Sequence, residues 1–375
     1  MLRRLRFDVH GSLGRRYPEP AHPYRNPFQR DRDRIVHARA FRRLEAKTQV
    51  FTPGLSDHFR NRLTHTIEVS QIARTAASAL ELDEDLTEAL ALAHDIGHPP
   101  FAHAGEEELN RQMSAFGDRF DHNLHALRIV ESFEQRYARF PGQNLTFEVR
   151  EGIVKHSRDI AIGQEPELDE YLPGLRPPLE AQLIDLADEI AYNTADLDDA
   201  FSAYMFRAED VASDVPRYAE IYEAIQMQFP GASDRERFLE TLRQLIDFLA
   251  SGLIEGTLRK AMDAGVADPE EVRGYPERIA AFTEGARAMN AALKRFLHSR
   301  VYSSPALVEE RYRARRRIAD LFAYFLDDTA RLPDPYRDLT ASGAAHRVVC
   351  DYIAGMTDAF FDRTYHQLLD AQPAA

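Results

Sequence analysis

The sequence predicts an all-α protein built from bundled helices. Apolar residues recur at helical spacing along most of its 375 residues, for example at Leu63, Ile67, Ile72, Ala76 and Leu80. The β-branched runs that are typical of strands are few and short. With 44% hydrophobic residues, the chain has enough apolar surface for a substantial core.

Composition excludes several classes of protein. The N-terminal stretch MLRRLRFDVHGSLGRRYPEP has no apolar segment behind its charges, and no part of the chain approaches the roughly 18 apolar residues of a membrane span. The single cysteine, Cys350, cannot form an internal disulfide. A formal net charge of -14 disfavours nucleic acid as the main partner, because nonspecific affinity for phosphate backbones comes from Lys and Arg. We expect a soluble, cytoplasmic protein without membrane contacts.

The helical segments are interpreted as one functional unit over residues 1–375. Proline, glycine and acidic residues interrupt the helical pattern between Gly163 and Pro178, yet candidate metal ligands lie on both sides of the interruption. We therefore predict a core of about residues 30–200, with a helical C-terminal region of about residues 201–375 packed on it.

Histidine is unevenly distributed along the chain. Seven of the 14 histidines fall within residues 58–125, namely His58, His65, His94, His98, His103, His122 and His125. At the centre is the segment ALALAHDIGHPPFAH, in which an Ala/Leu-rich helix runs into His94 and Asp95 and stops at Gly97 and Pro99. An imidazole and a carboxylate are thus adjacent at a helix end.

Two further helices carry candidate ligands. His65 lies near the start of the amphipathic segment RNRLTHTIEVSQIARTAASAL, and Asp188 lies in the middle of the segment LEAQLIDLADEIAYNTADLDDAF. A lone helical histidine is more often a surface residue or a satisfied core residue than a ligand, so the argument depends on the combination. Two imidazoles and two carboxylates suit Mn²⁺, Fe²⁺, Zn²⁺ or Ni²⁺ better than Ca²⁺ and leave positions for water and substrate.

A helical histidine, an adjacent His-Asp pair and a distant helical aspartate together resemble the signature of the HD superfamily. The resemblance extends to a narrower family, the deoxyguanosine triphosphate triphosphohydrolase-like proteins, through the segments RDRDRIVHARAFRRLEAKTQVF, DHFRNRLTHTIEVSQIAR, LAHDIGHPPFAHAGEEEL, FDHNLHALRIVE, LIDLADEIAYNTADLDDAF and VVCDYIAGMTDAFF. It implies an HD-domain helical core with additional C-terminal helices. It also implies metal-dependent hydrolysis of deoxynucleoside triphosphates (dNTPs) to deoxynucleoside and inorganic triphosphate, by attack of water at the α-phosphorus.

The resemblance also assigns the catalytic residues. The family's metal ligands match His65, His94, Asp95 and Asp188. They would hold Mn²⁺, Mg²⁺ or another first-row divalent ion. The catalytic histidine and its acidic partner match His103 and Glu106, whose spacing on a helix lets the carboxylate orient the imidazole. Further active-site histidines match His98 and His122, for which the alternative is a polar position at the edge of the core.

Five positions match family residues that bind the substrate. They are Gln49 at the 3′ hydroxyl, Val50 against the 2′ position, Arg62 at the phosphates, and Tyr192 and Asp196 along the sugar. Asp188, Tyr192 and Asp196 are spaced i, i+4 and i+8, so all three project from one helical face. An apolar side chain against C2′ would reject ribose, whose hydroxyl would lose its hydrogen bonds. Weaker candidates for contact with the triphosphate are Arg60, Lys155, Arg313, Arg315, Arg316 and Arg317.

Several functional questions stay open at the level of sequence. Family members commonly form homo-oligomers, often hexamers, and some are activated by a dNTP at a second site, so the resemblance implies an oligomer and allows an activator. The strictly dGTP-preferring member has Asn in place of His98 and Gly in place of His122, which leaves base preference open. Two alternatives remain: an HD phosphohydrolase acting on a nucleoside monophosphate or a signalling nucleotide, and a catalytically silent nucleotide sensor.

Overall fold

The computed structural model describes residues 1–51, 59–341 and 343–370, so His58 lies outside the described residues. Within these ranges the prediction of an all-α fold is confirmed. Helices are joined by turns and loops, and the β pairing of the described residues consists of two isolated bridges, Arg15 with Thr146 and Thr48 with Asn61. No helix in the described ranges combines the length and the apolar character that crossing a membrane requires.

The helix bounds are given in chain order. The first eight are α1 (Pro27–Val36), α2 (Arg39–Arg43), α3 (Arg62–Leu80), α4 (Glu84–Ala93), α5 (Ala102–Ser114), α6 (His122–Arg128), α7 (Phe147–Val154) and α8 (Leu179–Ser202). They are followed by α9 (Ala208–Asp214), α10 (Pro216–Gln228), α11 (Asp234–Ala264), α12 (Pro269–Gly274), α13 (Glu284–Leu297), α14 (Pro305–Asp327), α15 (Asp334–Leu339), α16 (Ala345–Ala354) and α17 (Asp358–Tyr365). A π-helical segment, His298–Tyr302, connects α13 to α14.

Helices α3, α4 and α8 form a tightly packed group, since each contacts the other two. Small buried side chains allow this close approach, among them Ala73, Ala76 and Ala77 of α3 and Ala187 and Ala191 of α8. Of the residues whose spacing predicted helix α3, Ile72, Ala76 and Leu80 are buried in the packing, whereas Ile67 is exposed.

Side-chain caps determine where α3 and α4 begin. Asn61 precedes α3, and its Oδ1 accepts a hydrogen bond from the backbone N–H of Thr64 at 2.9 Å. Asp83 precedes α4 and accepts a first-turn N–H at 2.9 Å. Such caps satisfy backbone donors that a helix leaves unpaired. They set the register of the two helices and so the positions of His65 and His94.

Two hydrophobic cores divide the fold. The larger core extends along the chain from Leu2 to Leu307 and includes α1–α4 and α6–α13. The smaller core lies between α5, α14, α16 and α17 and contains Met113, Phe325 and Ile353. The C-terminal half is thus shared between both cores, and a division near residue 200 stays a prediction. Helix α5 belongs to the smaller core, whereas α3, α4 and α8 belong to the larger one.

The turn between α4 and α5 is held in an unusual conformation. Phe101 and Ala102 have φ angles of 63° and 52°, in the left-handed region that side chains other than glycine rarely adopt. The backbone N–H of Phe101 donates to Asp358 Oδ1 at 3.1 Å, which ties the turn to α17. At Gly97 a Cβ atom would lie 1.9 Å from the carbonyl oxygen of His122. Only glycine therefore allows this turn to touch the start of α6.

Candidate active site

The four predicted metal ligands converge where α3, α4 and α8 meet. His65 comes from α3, His94 ends α4, Asp95 follows it, and Asp188 comes from the middle of α8. His65 Nε2 lies 2.8 Å from Asp188 Oδ1. His94 Nε2 lies 3.6 Å from Asp95 Oδ1 and 3.9 Å from Asp188 Oδ1. Two imidazoles and two carboxylates therefore face one small volume.

Both histidines of this group have a buried ring nitrogen without a hydrogen-bond partner among the described residues, Nδ1 in His65 and Nε2 in His94. His94 Nδ1 lies 2.6 Å from the carbonyl oxygen of Ala91, so Nδ1 carries the proton and Nε2 keeps its lone pair. Nε2 is buried and has no hydrogen-bond partner among the described residues. A buried, unpaired polar atom is costly unless it binds something, and an imidazole anchored through its other nitrogen is the usual form of a metal ligand. The donor set and this nitrogen fit a divalent cation.

Asp95 is held in its ionised form by two neighbours. Arg62 donates from Nη1 to Asp95 Oδ2 at 2.8 Å, and His98 Nδ1 lies 2.9 Å from Asp95 Oδ1. Burial alone would raise the pKa of Asp95, but His98 and Arg62 outweigh burial and hold this pKa well below its ordinary value. Arg62, expected at the phosphates, is buried and paired with Asp95 in this structure.

His156 joins the same cluster, although the sequence analysis did not single it out. This buried residue follows α7 and places Nε2 3.7 Å from Asp188 Oδ2, while its Nδ1 lies 2.7 Å from Asp185 Oδ1. Burial would lower the pKa of His156, but Asp185 and Asp188 outweigh burial and raise it to about 10. The sequence contains one signal for this residue. In GIVKH, as in ALALAH, a histidine comes just after an apolar helical segment.

Glu106 contacts His122 more closely than it contacts His103. Glu106 Oε1 accepts a hydrogen bond from the His122 backbone N–H at 3.0 Å and lies 2.7 Å from His122 Nδ1. His103 Nδ1 lies 3.8 Å from Glu106 Oε2, and the His103 side chain is 59% exposed. The expected pair of His103 and Glu106 is therefore a loose ion pair. His98 and His122 stack with their ring centroids 3.9 Å apart. Because His98 also contacts the candidate ligand Asp95, this stack connects Glu106 to the candidate metal ligands.

These histidines also determine the acidity of Glu106. Burial alone would raise the pKa of Glu106, but interactions with His103 and His122 outweigh burial and hold this pKa well below its ordinary value. Glu106 is consequently a carboxylate at neutral pH, available to stabilise a positive charge on either imidazole.

A cavity of about 240 Å³ adjoins the cluster. Its walls include Gln49, Val50, Phe101, His103, Tyr192, Tyr302 and Arg311. Tyr192 lies at the boundary between cluster and cavity, because its ring centroid is 6.4 Å from that of His65 and 6.5 Å from that of His103. Three predicted substrate residues and the predicted catalytic histidine thus line one cavity.

Asp196 interacts with a residue that the sequence analysis missed. The O–H of Tyr302 donates to Asp196 Oδ2 at 2.5 Å, and Asp196 itself is buried. Burial raises the pKa of Asp196 to about 7, although the hydrogen bond from Tyr302 opposes this rise. Tyr302 lies 106 residues further along the chain, where no local pattern distinguishes it from a packing tyrosine.

Five of the six weaker basic candidates have acidic partners among the described residues, and no such pair involves Arg316. Lys155 is buried and donates to Glu151 Oε1 at 2.8 Å. Arg60 pairs with Glu68, Asp198 and Asp199, and Arg313, Arg315 and Arg317 pair with Glu309, Glu107 and Asp362. These side chains are therefore already engaged in ion pairs within the protein.

Two family models match parts of this chain. A family model described as the HD domain matches residues 62–193, and one described as a phosphohydrolase-associated domain matches residues 280–367. A crystal structure of a hypothetical protein from Aquifex aeolicus covers 76% of this chain and 71% of its own, at 17% identity and a TM-score of 0.31. That likeness is too low to support an argument. The helical fold and the His-Asp cluster, together with the match to the HD domain, define an HD-domain phosphohydrolase.

Three relatives show the narrower family. A protein of Azoarcus sp. strain BH72 is 45% identical over 95% of this chain and 93% of its own length. Proteins of Bordetella pertussis and Geobacter sulfurreducens are each 43% identical, over 97% and 93% of this chain and 95% and 90% of their own. All three are named deoxyguanosinetriphosphate triphosphohydrolase-like proteins. The chain belongs to this family.

Proposed function

We propose that the protein hydrolyses dNTPs to a deoxynucleoside and inorganic triphosphate. The observation that carries the proposal is the position of the four candidate metal ligands beside a cavity of about 240 Å³, which is lined in part by Gln49, Val50 and Tyr192. Residues that could hold a cation for phosphate hydrolysis would then adjoin a cavity that has both apolar and polar walls. Such a cavity suits the recognition of a nucleoside. The names of the related proteins support the same reaction.

His65, His94, Asp95 and Asp188 are the residues that would hold a divalent cation. Mn²⁺ or another divalent ion of the first transition row suits this nitrogen and oxygen set, and Mg²⁺ would be held mainly through the carboxylate oxygens. When bound, such an ion polarises a phosphate oxygen as a Lewis acid and lowers the pKa of water.

His103 is the group best situated to move a proton during the reaction. Its imidazole lies in the cavity wall and is 59% exposed, so a substrate or a water molecule can reach it. The carboxylate of Glu106, 3.8 Å from His103 Nδ1, can orient the imidazole for proton transfer to a leaving 5′ oxygen or from a water molecule. His122 and His98, stacked behind Glu106, would keep that carboxylate in place.

Gln49 and Val50 provide a physical basis for preferring deoxyribose. Gln49 Oε1 is buried without a hydrogen-bond partner among the described residues, so it is free to accept a hydrogen bond from a 3′ hydroxyl. Val50 offers only an apolar surface to the same cavity. A 2′ hydroxyl placed against Val50 would lose its hydrogen bonds, which costs about 1 to 3 kcal/mol.

Product chromatography tests the reaction. The purified protein is incubated with each of the four dNTPs and with GTP, in Mg²⁺, Mn²⁺ and Co²⁺ separately, and then with dNTP mixtures. Deoxynucleoside and intact triphosphate are the expected products, with GTP left unhydrolysed. Stepwise release of orthophosphate would contradict attack at the α-phosphorus. Absence of turnover under every condition would favour another nucleotide substrate or a sensor.

Assembly and activation are separate parts of the proposal. The family resemblance leads us to propose a homo-oligomer, with a hexamer as the first expectation, and activation by a dNTP at a second site. Light scattering during size-exclusion chromatography measures the first property. For the second, the initial rate with one dNTP is measured at increasing concentrations of another, and a rise in rate is expected.

A further inference from the structure

One buried lysine directly precedes the residues that would recognise the sugar. Lys47 is 4% exposed, and the next three residues, Thr48, Gln49 and Val50, line the cavity. We infer that Lys47 is a positioning residue for sugar discrimination, because its contacts hold Gln49 and Val50 at a fixed distance from the candidate metal ligands. The inference rests on the proposed function, in which Gln49 and Val50 favour deoxyribose over ribose.

The ammonium group of Lys47 joins two segments that are distant in the chain. Its Nζ donates to the carbonyl oxygen of His98 and, at 3.2 Å, to that of Ala354. His98 lies three residues after the candidate ligand Asp95, in the turn between α4 and α5. Ala354 is the last residue of α16 and belongs to the smaller core. One side chain therefore ties the segment before Gln49 to the ligand-bearing turn and to the smaller core.

The backbone of Lys47 adds a third attachment, to the start of α3. Its carbonyl oxygen accepts the N–H of Arg62 at 3.1 Å, and Arg62 lies one turn before His65 on that helix. The isolated bridge between Thr48 and Asn61 continues this attachment by one residue. Lys47 is thus attached to α3 and to the turn after α4, which together carry three of the four candidate ligands.

Burial of an ammonium group at this position is costly, since its partners among the described residues are carbonyl oxygens. The nearby carboxylate of Asp358 accepts the backbone N–H groups of Thr48 and Phe101. Burial lowers the pKa of Lys47 to about 7, and Asp358 opposes this shift only in part. What the lysine provides is two charge-assisted hydrogen bonds, which constrain both distance and direction. That constraint, rather than net stability, is what a buried charge contributes here.

Sugar discrimination is sensitive to such a constraint because it depends on exact distances. Val50 excludes a 2′ hydroxyl, and Gln49 accepts a 3′ hydroxyl, only while both side chains keep their positions relative to the phosphate that reacts. A shift of about 1 Å is enough to disturb an arrangement of this kind, and it would give a 2′ hydroxyl room to keep its hydrogen bonds. Loss of the Lys47 contacts should therefore weaken the preference for deoxyribose before it weakens metal binding.

Nucleotide binding tests the inference on the full-length, Mn²⁺-loaded protein. Isothermal titration calorimetry measures the dissociation constants of the non-hydrolysable α,β-methylene forms of dGTP and GTP, and of dATP and ATP. The wild type should bind a deoxynucleotide at least about tenfold more tightly than its ribose counterpart. Lys47→Met keeps the length of the side chain but removes both donated hydrogen bonds. This variant should lower the preference to less than about threefold, with bound manganese unchanged.

A lysine of α11 provides the matched control. Lys260 is partly exposed and pairs with Glu277 at the surface, so Lys260→Met should keep the wild-type preference. A Lys47→Met protein that folds and keeps this preference would overturn the inference, as would loss of manganese together with the preference, which indicates a general structural role.

A second variant decides the question if circular dichroism shows that Lys47→Met does not fold. Lys47→Gln is neutral and one atom shorter, so its amide can reach one carbonyl group but not both. Its preference for deoxyribose should fall at least about threefold, and an unchanged preference would overturn the inference. Products of the wild type judge the proposed function separately. Absence of hydrolysis would defeat that proposal even where deoxyribose is preferred, whereas hydrolysis without any sugar preference would defeat only the role of Lys47.

Discussion

Asp188 and Asp196 lie two turns apart on helix α8, yet their pKa values are shifted in opposite directions. Burial would raise the pKa of Asp188, but His156 and His65 outweigh burial and hold it well below its ordinary value. At Asp196 burial prevails and raises the pKa to about 7, because the main contact is the neutral O–H of Tyr302. Helix α8 thus provides a charged position at Asp188, suited to a cation, and a nearly neutral position at Asp196, suited to hydrogen bonding.

The surroundings of Asp188 and of Asp196 also come from different parts of the chain. The predicted metal ligands lie within the match to the HD domain, residues 62–193. The cavity near Asp196 adds Tyr302 and Arg311 from the phosphohydrolase-associated match, residues 280–367. The candidate metal ligands therefore come from one segment, whereas the cavity draws on both, and substitutions of a ligand and of Tyr302 should affect different kinetic constants.

Asp188→Asn should have the largest effect on activity. The substitution keeps the size of the side chain but removes the charge that would attract the cation, so kcat should fall by at least about a thousandfold. Bound metal and dNTP turnover are measured together, with circular dichroism as a check of folding. This variant is preferable to Asp95→Ala, since loss of Asp95 would leave the buried Arg62 unpaired and destabilise the fold. Normal metal content with normal turnover would contradict the assignment of Asp188 as a metal ligand.

Asp358→Ala should have the next largest effect, because Asp358 holds both sides of the cavity. Its Oδ2 accepts the backbone N–H of Thr48 at 2.8 Å, and its Oδ1 accepts that of Phe101 at 3.1 Å. Without these bonds the neighbouring Gln49 and His103 lose their fixed positions, and kcat/KM should fall about tenfold.

The conservative variant makes this second prediction specific. Asp358→Asn keeps one acceptor oxygen and should recover part of the loss, while metal content should stay at the wild-type value in both variants. An exposed acidic residue of α15, Asp338, serves as the control, and Asp338→Ala should leave kcat/KM unchanged. Equal losses in the Ala and Asn variants would argue against a positioning role.

Tyr302→Phe should have a smaller effect, which is confined to substrate binding in the cavity. The change removes the hydroxyl that donates to Asp196 and leaves a buried acceptor unpaired, at a cost of about 1 to 2 kcal/mol. KM for the dNTP should rise about tenfold, while kcat and metal content stay within a few-fold of the wild type. A fall in kcat with an unchanged KM would show that Tyr302 acts on the chemical step instead.

Glu180→Gln should leave activity unchanged and alter stability alone. Glu180 lies at the start of α8, and burial raises its pKa to about 7 against backbone donors from Phe7 and Asp83. The unfolded pKa is about 4.3, so the folded protein binds the extra proton between these values. The wild type therefore loses stability as pH rises from about 4 to 7, by about 4 kcal/mol in total.

The amide that Glu180→Gln introduces cannot ionise, so the variant should melt at a higher temperature than the wild type at pH 8 and at the same temperature near pH 4. Thermal melts at several pH values measure this difference. The exposed Glu223 provides the control, since Glu223→Gln should follow the wild type at every pH. A lower melting temperature of Glu180→Gln at pH 8 would contradict the raised pKa.

The sequence by itself determined the helical fold, the family and the four candidate ligands. Helical periodicity is a local property, and the adjacency of His94 and Asp95 at a helix end is visible in a short segment of sequence. The positions of His65 and Asp188 could be anticipated because each lies on a long helix, α3 or α8, that the sequence predicts. The prediction that Gln49, Val50 and Tyr192 share one substrate site came from the family resemblance and agrees with the cavity lining.

Only the tertiary structure decided which neighbours each group has. His156 reaches Asp188 because α7 ends beside α8, and Tyr302 reaches Asp196 across 106 residues of chain. The pairing of Glu106 with His122 depends on the contact of Gly97 with the start of α6. Acid strength, burial and orphaned ligand atoms arise from contacts between distant segments, whereas a sequence pattern reports only on residues that share a helix.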